Sequence, residues 1–313
     1  MHSNSRQSHL YYPKDLGDAP KYIFSGVSSG SDLIFVPDFT MQPKSFLRKV
    51  LKFLFVGRIP LKGSIIEMLT GYKGYAWLKT LKPGDRLLLN GVTNIHTMQA
   101  VTWLVPHGVR LYNYFNNCLR FLFTESDIIY RISKMKEMGY ELMTFDPKEA
   151  YDFGMTYTEQ FYRFPKENGE EHIKFDFFFC GVSKDRSQRL SKLKEELEGK
   201  GFRCKFMVIP PMDRISYEEY LSYVRQSRCL VDMMQKGQVG LTRRPIEALF
   251  FGKKLITENE NIKDYDFYDP ANIHVFNINN IEDIVAFMKV KPKDIPMTIK
   301  AKYEVNHWLE YFK

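Results

Sequence analysis

Two adjacent arginines, Arg243 and Arg244, open the apolar stretch RRPIEALFFG, which has Pro245 in its first turn and Glu247 as its single acid. Cations at a helix start lie against the positive end of the backbone dipole, so this placement is unfavourable unless an anion is bound there. The residues ahead of them suit an anion. Gly240 allows close backbone approach, and Thr242 stands where a helix cap belongs. A second loop of the same kind, Gly181-Val182-Ser183-Lys184-Asp185-Arg186, follows the apolar run FDFFFC. It offers a glycine, helix-start donors and the cations Lys184 and Arg186, again a phosphate-binding set. Taken singly, Lys184 and Arg186 also fit solvated charge ahead of a helix. Glu247 has two readings: a pairing with Arg243 along the helix, a contact of about 0.3–0.5 kcal/mol, or a carboxylate accepting from ribose hydroxyls.

These loops need strands and helices to hold them. In the second half, KFDFFFCGV reads as a strand, and SQRLSKLKEELEGKG as a helix with Leu190, Leu193 and Leu197 on one face. FRCKFMVI is a second strand. ISYEEYLSYVRQS is a helix opened by Ser216 and Glu219 in capping-box spacing, with Tyr217, Tyr220, Leu221 and Val224 on one face. CLVDMM, RRPIEALFFG and KLIT continue as strand, helix and strand, and IHVF and NIEDIVAFM add a further strand and helix. Strands alternating with helices imply right-handed crossovers and a doubly wound parallel sheet. Ligands of such sheets bind outside the carboxyl ends of the strands, where both loops lie.

The first half has the same character. KYIFSGV is read as a strand ending in the loop SGVSSGSD, and DRLLLNGV, VRLYNYF and YELMTF as further strands; NIHTMQAVTWLVPHG and SDIIYRISKMKEMG are read as helices. The polar stretch RFPKENGEEH, Arg163 to His172, is the natural linker. The expected domains are 1–165, 174–298 and a C-terminal helix over 299–313.

The stretch GLTRRPIEALFFGKKLIT, preceded by CLVDMM and followed by ENENIKDYDFYDPANIHVF, resembles the donor-binding half of GT-B glycosyltransferases. It is similar in particular to the bacterial enzymes that assemble capsule and lipopolysaccharide glycans, over Phe175 to Phe276. The resemblance implies an α/β fold of two Rossmann-like domains facing across a cleft, the C-terminal helix free to cross back to the first. It implies Arg243 or Arg244 on the diphosphate of a nucleotide-sugar, Glu247 on its ribose, and Gly240 and Thr242 in the loop. Gly181 matches the first glycine of the donor domain, with Lys184 or Arg186 near the phosphates. Many relatives carry a second acid one or two turns earlier; Gln238 and Val239 stand there, which argues against a retaining mechanism with two glutamates.

The first domain would then hold an oligosaccharide or lipid-linked acceptor, the loop Gly26 to Gly30 loosely matching the family's glycine-rich loop after its first strand. An inverting reaction needs a general base there. Candidates on strand-end loops are Asp38, His96 and Asp146, each of which also suits a cap or turn. The chain has no Walker-type lysine loop and no G-x-G-x-x-G, so ATP hydrolysis and dinucleotide redox chemistry lack their signatures. The resemblance implies no metal and no cofactor, the nucleotide-sugar being a substrate. Asp264-Tyr265-Asp266 is too short a match, in the wrong context, to mark a metal site.

The 313 residues, 44% hydrophobic and 15% aromatic, suffice for two packed cores. A net charge of +8 favours anionic partners without choosing among them. The four cysteines are scattered singly in apolar runs, which suggests buried reduced thiols. The N-terminus lacks an apolar signal core, so a cytoplasmic protein is expected. Pro43 to Gly63 reads as a basic amphipathic helix, suited either to an anionic membrane surface at the inner face of the plasma membrane or to an ordinary core contact. Two other functions fit less well: a sugar-nucleotide epimerase of the same fold, and a basic nucleic-acid-binding protein, against which stands the absence of any recognisable nucleic-acid module.

Overall fold

The computed structural model describes residues 8–13, 17–36, 76–166, 172–182, 186–210, 215–234 and 239–313. Asp38, Lys184 and the basic stretch 43–63 lie outside the described residues, as does half of the proposed linker. The chain forms two compact units. One contains the described residues of Met1–Leu16, Ser28–Thr158 and Phe312–Lys313, the other those of Gly17–Val27 and Glu159–Tyr311.

The chain begins with strand β1 (Leu10–Pro13), helix α1 (Asp18–Phe24) and strand β2 (Leu33–Val36). The expected strand KYIFSGV is therefore corrected to a helix followed by a turn. Asp18 in the first turn suits the helix dipole, and Pro20 falls where no intrahelical N–H is required. Gly26 accordingly follows a helix, not a strand, and its lack of a side chain serves packing. A Cβ there would sit 2.7 Å from the Cβ of Arg163, within the second unit.

The first unit continues with β3 (Arg86–Asn90), α2 (Ile95–Leu104), β4 (Arg110–Phe115), α3 (Glu125–Glu137), β5 (Tyr140–Thr144), α4 (Pro147–Phe153) and β6 (Thr156–Tyr157). Its sheet runs in the order β2-β1-β3-β4-β5-β6, every pairing parallel. Leu87, Leu88 and Leu89 are all buried, as expected of a strand covered on both faces. α2 and α3 begin on the side-chain caps Asn94 and Thr124, and bury Met98, Val101, Ile128 and Ile132 in the core.

The second unit contains β7 (Phe175–Val182), α5 (Ser187–Gly199), β8 (Cys204–Ile209), α6 (Tyr217–Arg225), β9 (Ser227–Asp232), α7 (Arg243–Phe251), β10 (Lys254–Thr257), β11 (Ile273–Val275) and α8 (Ile281–Lys289). The sheet is parallel throughout, in the order β11-β10-β9-β7-β8. Both faces are covered. Phe177 and Phe179 pack with Leu190, Leu193 and Leu197 of α5 and Ile284 and Phe287 of α8. Phe178 points the other way, 5.5 Å from the ring of Tyr220 and 5.7 Å from that of Tyr223 on α6. The doubly wound sheet expected of the second half is thus present.

The last stretch, read as one helix, is two short helices, α9 (Met297–Lys302) and α10 (Val305–Trp308), and a final 3-10 turn, Leu309–Phe312. Glu304 breaks the run because its side chain caps α10 through the amide of Asn306, 2.7 Å away, while its backbone pairs with Tyr162. Among the described residues, no helix is long and apolar enough to cross a membrane.

Candidate functional site

The strand order of the second unit reverses between β7 and β9: the chain steps from β7 to β8 on one side, then returns to β9 on the other. The carboxyl ends of two strands diverge at such a point and leave a crevice, the usual ligand position in open α/β sheets. β7 ends in Cys180-Gly181-Val182, and β9 ends in Asp232.

Arg186, next to the first residue of α5, and Arg244, the second residue of α7, converge here. A Cβ built on Gly181 would lie 3.2 Å from Nη2 of Arg186 and 3.7 Å from Nη2 of Arg244. Both guanidinium groups lie over the ring of Phe179, at 5.3 and 4.7 Å from its centroid. Arg186 donates to the carbonyls of Met233 and, at 3.3 Å, Val182. Arg244 donates to the carbonyl of Cys180 at 2.6 Å and pairs with Asp232 at 3.4 Å. Burial works against the Arg244 charge, and the oxygens of Tyr220 and Asp232 more than offset it, holding its pKa above the usual arginine value. Burial also pushes the Cys180 thiol up to about 11, so it stays protonated at neutral pH.

Thr242 caps α7 as expected, accepting from the amide of Arg244 while its hydroxyl donates to Asp232 at 2.8 Å. Gly240 is buried in the loop just ahead of it. Asp232 is fully buried, and its second oxygen accepts from Thr257 at the end of β10, at 2.9 Å. A further cation, Arg189 of α5, is clamped by Glu258, whose carboxylate also accepts the amide of Met234 at 3.0 Å. Asp232, Arg189 and Glu258 escaped the sequence reading. An acid closing an otherwise apolar strand, as in CLVDMM, was the one available clue.

Glu247 is buried one turn into α7, away from this cluster's hydrogen bonds. Tyr217 donates to its Oε1 at 2.7 Å, and Tyr220 donates to its Oε2. The hydroxyls of Tyr162 and Tyr217 are 2.7 Å apart; Tyr217 spends its proton on Glu247, so Tyr162 is the donor of that pair. Burial, with the Glu247 carboxylate alongside, pushes both Tyr217 and Tyr220 well above the ordinary phenol range. Arg243 is half-buried beside this network. Burial opposes its charge, but Tyr217 and Glu247 more than compensate.

In the first unit, His96 is buried in the first turn of α2. Asp146 fills the cap position of α4. Its Oδ1 accepts the amides of Lys148 and Glu149, both at 3.0 Å, and its Oδ2 accepts from the Cys118 thiol at 3.2 Å. Capping, the alternative reading for Asp146, is therefore the role the structure displays. All four cysteines are free thiols, Cys204 being half-buried and the others buried.

No family model matches the chain, and no curated protein matches it. Among solved structures it is similar to the crystal structure of TarM, with 9% identity and a TM-score of 0.44, over 73% of this chain and 50% of that one. The chain thus spans half the length of that neighbour, and a likeness at this level carries no argument about function.

Proposed function

We propose that the protein is a glycosyltransferase whose second unit binds a nucleotide-sugar at the carboxyl ends of β7 and β9. The convergence of Arg186 and Arg244 on Gly181, at the reversal of strand order, carries this reading. A glycine, two guanidinium groups and a capped helix start at a switch point form a diphosphate site built from standard parts. The acceptor would be an oligosaccharide or lipid-linked glycan of cell-surface polysaccharide synthesis, which rests on the sequence resemblance. The acceptor oxygen bonds to the anomeric carbon, and the electron pair of the broken C–O bond leaves on the diphosphate. Arg186 and Arg244 stabilise that charge, the service a metal ion renders in other transferases. Asp38 and His96 stand as candidates for the base that takes the acceptor proton, since Asp146 is already engaged at both oxygens.

The test is a thermal-shift panel of UDP with UDP-glucose, GDP with GDP-mannose, and TDP with TDP-glucose. At least one pair should raise the melting temperature, because a ligand of the native state stabilises it by mass action. Gly181→Ala should weaken that pair about tenfold, equivalent to about 1.4 kcal/mol, because its methyl occupies the phosphate position. The unliganded melting temperature should fall only slightly, since the tightest contact of the methyl, 3.2 Å, is with the guanidinium end of Arg186 and not with backbone. A panel in which no nucleotide shifts the wild type overturns the reading.

A further inference from the structure

We propose that Asp232 weakens binding of the free nucleoside diphosphate more than that of the sugar nucleotide, and so aids release of the product. This rests on the donor-site reading above. Asp232 is an odd residue to find beside an anion site. It ends β9, is fully buried, and lies 3.4 Å from the guanidinium of Arg244, one of the two groups that face Gly181. It is held rigidly by three donors: Thr242 from the cap of α7 at 2.8 Å, Thr257 from β10 at 2.9 Å, and Arg244 itself. Every contact is donated to it, the pattern of an ionised carboxylate. Among the described residues, the other charges at these strand ends are Arg186, ahead of α5, and the Arg189–Glu258 pair between α5 and the end of β10; Tyr220 and Glu247 lie on the other side of Arg244.

A fixed negative charge shielded from water repels a bound anion in proportion to that anion's charge. The diphosphate of a sugar nucleotide is a diester and carries two negative charges. When the bond to the sugar breaks, the terminal phosphate becomes a monoester with an additional ionisation near pH 6. Above that pH the product carries a third charge on the phosphate that the sugar has left. Asp232 therefore weakens the product more than the substrate, and offsets part of the stronger pull that Arg186 and Arg244 exert on the third charge. A purely structural Asp232, acting only to orient Thr242 and Arg244, would affect both ligands alike.

The experiment measures dissociation constants by titration calorimetry for whichever matched pair binds, such as UDP and UDP-glucose, at pH 8.0 and pH 5.5. In the wild type, raising the pH from 5.5 to 8.0 should move the ratio toward the diphosphate, whose third charge the two arginines attract, by less than it does once Asp232 is neutralised. Asp232→Asn keeps the shape and an acceptor for one threonine. It should tighten the nucleoside diphosphate on the order of tenfold more than the sugar nucleotide at pH 8.0, with a smaller difference at pH 5.5. Product inhibition of transfer should strengthen in step. Asp232→Ser, smaller and uncharged, should shift the ratio in the same direction if Asp232→Asn fails to fold. A ratio that differs between variant and wild type by the same factor at both pH values, or variants that weaken both ligands equally, overturns the proposal while leaving the donor site standing. Failure of the wild type to bind any pair overturns the donor site and this inference together.

Discussion

Arg243 and Arg244, neighbours in sequence, are put to different uses. Arg244 is sunk between the carbonyl of Cys180 and the carboxylate of Asp232, its side chain 13% exposed. Arg243 makes no hydrogen bond to a described residue and lies beside the Tyr217–Glu247 pair. The sequence leads one to expect that Arg244→Ala would impair catalysis with little effect on folding. The geometry revises this, because removing Arg244 leaves Asp232 buried without its cation. We expect Arg244→Ala to destabilise by about 3–5 kcal/mol and Arg243→Ala by about 1 kcal/mol or less, as measured by urea unfolding. Equal losses would mean that the Arg244–Asp232 pair contributes little. Glu247 was legible as a significant acid but not in its contacts. Tyr217 and Tyr220 share a helix face in the sequence, yet nothing local says that this face meets α7.

At the scale of elements, caps and apolar periodicity explain what could be read in advance. The Ser216–Glu219 spacing does open α6, the serine oxygen accepting the amide of Glu219 at 3.1 Å. Ser216→Ala should therefore lower stability by about 1 kcal/mol, seen as an earlier urea midpoint; an unchanged midpoint would mean the cap is replaced by water. Elements too short for a periodic pattern were misread or missed. α1 has seven residues with a buried Ile23 and Phe24, so its apolar end imitates a strand. β1 has four, within a stretch that reads as a polar tail. α4 was also missed, although Asp146-Pro147 ahead of Gly154 stands in the order of cap, first-turn proline and left-handed stop.

For the whole molecule, the two sheets share one plan, a parallel array whose order reverses beside its first strand. The first unit also contains a group that ties stability to pH. Glu149 is buried with one oxygen accepting the amide of Arg120 at 2.9 Å and no hydrogen-bond partner at the other, and burial raises its pKa. A raised carboxyl binds its proton more tightly in the folded state. Its contribution is therefore complete below the unfolded value of about 4.3 and is lost as pH rises through the folded value. Denaturant unfolding at pH 4 and pH 7 should show the wild type losing stability relative to Glu149→Gln over that interval; a constant difference would deny the linkage. The sequence by itself determined the succession of strands and helices from β7 to α8, and the cap of α7. These depend on neighbours a few residues apart, and local periodicity and helix-end chemistry encode them. Only the tertiary structure decided that Arg186 and Arg244 meet at Gly181, that Asp232 stands behind them, and that tyrosines from another helix and from the start of the unit enclose Glu247. Those meetings follow from strand order and from which faces pack together, and they bring into contact residues that are far apart in the chain.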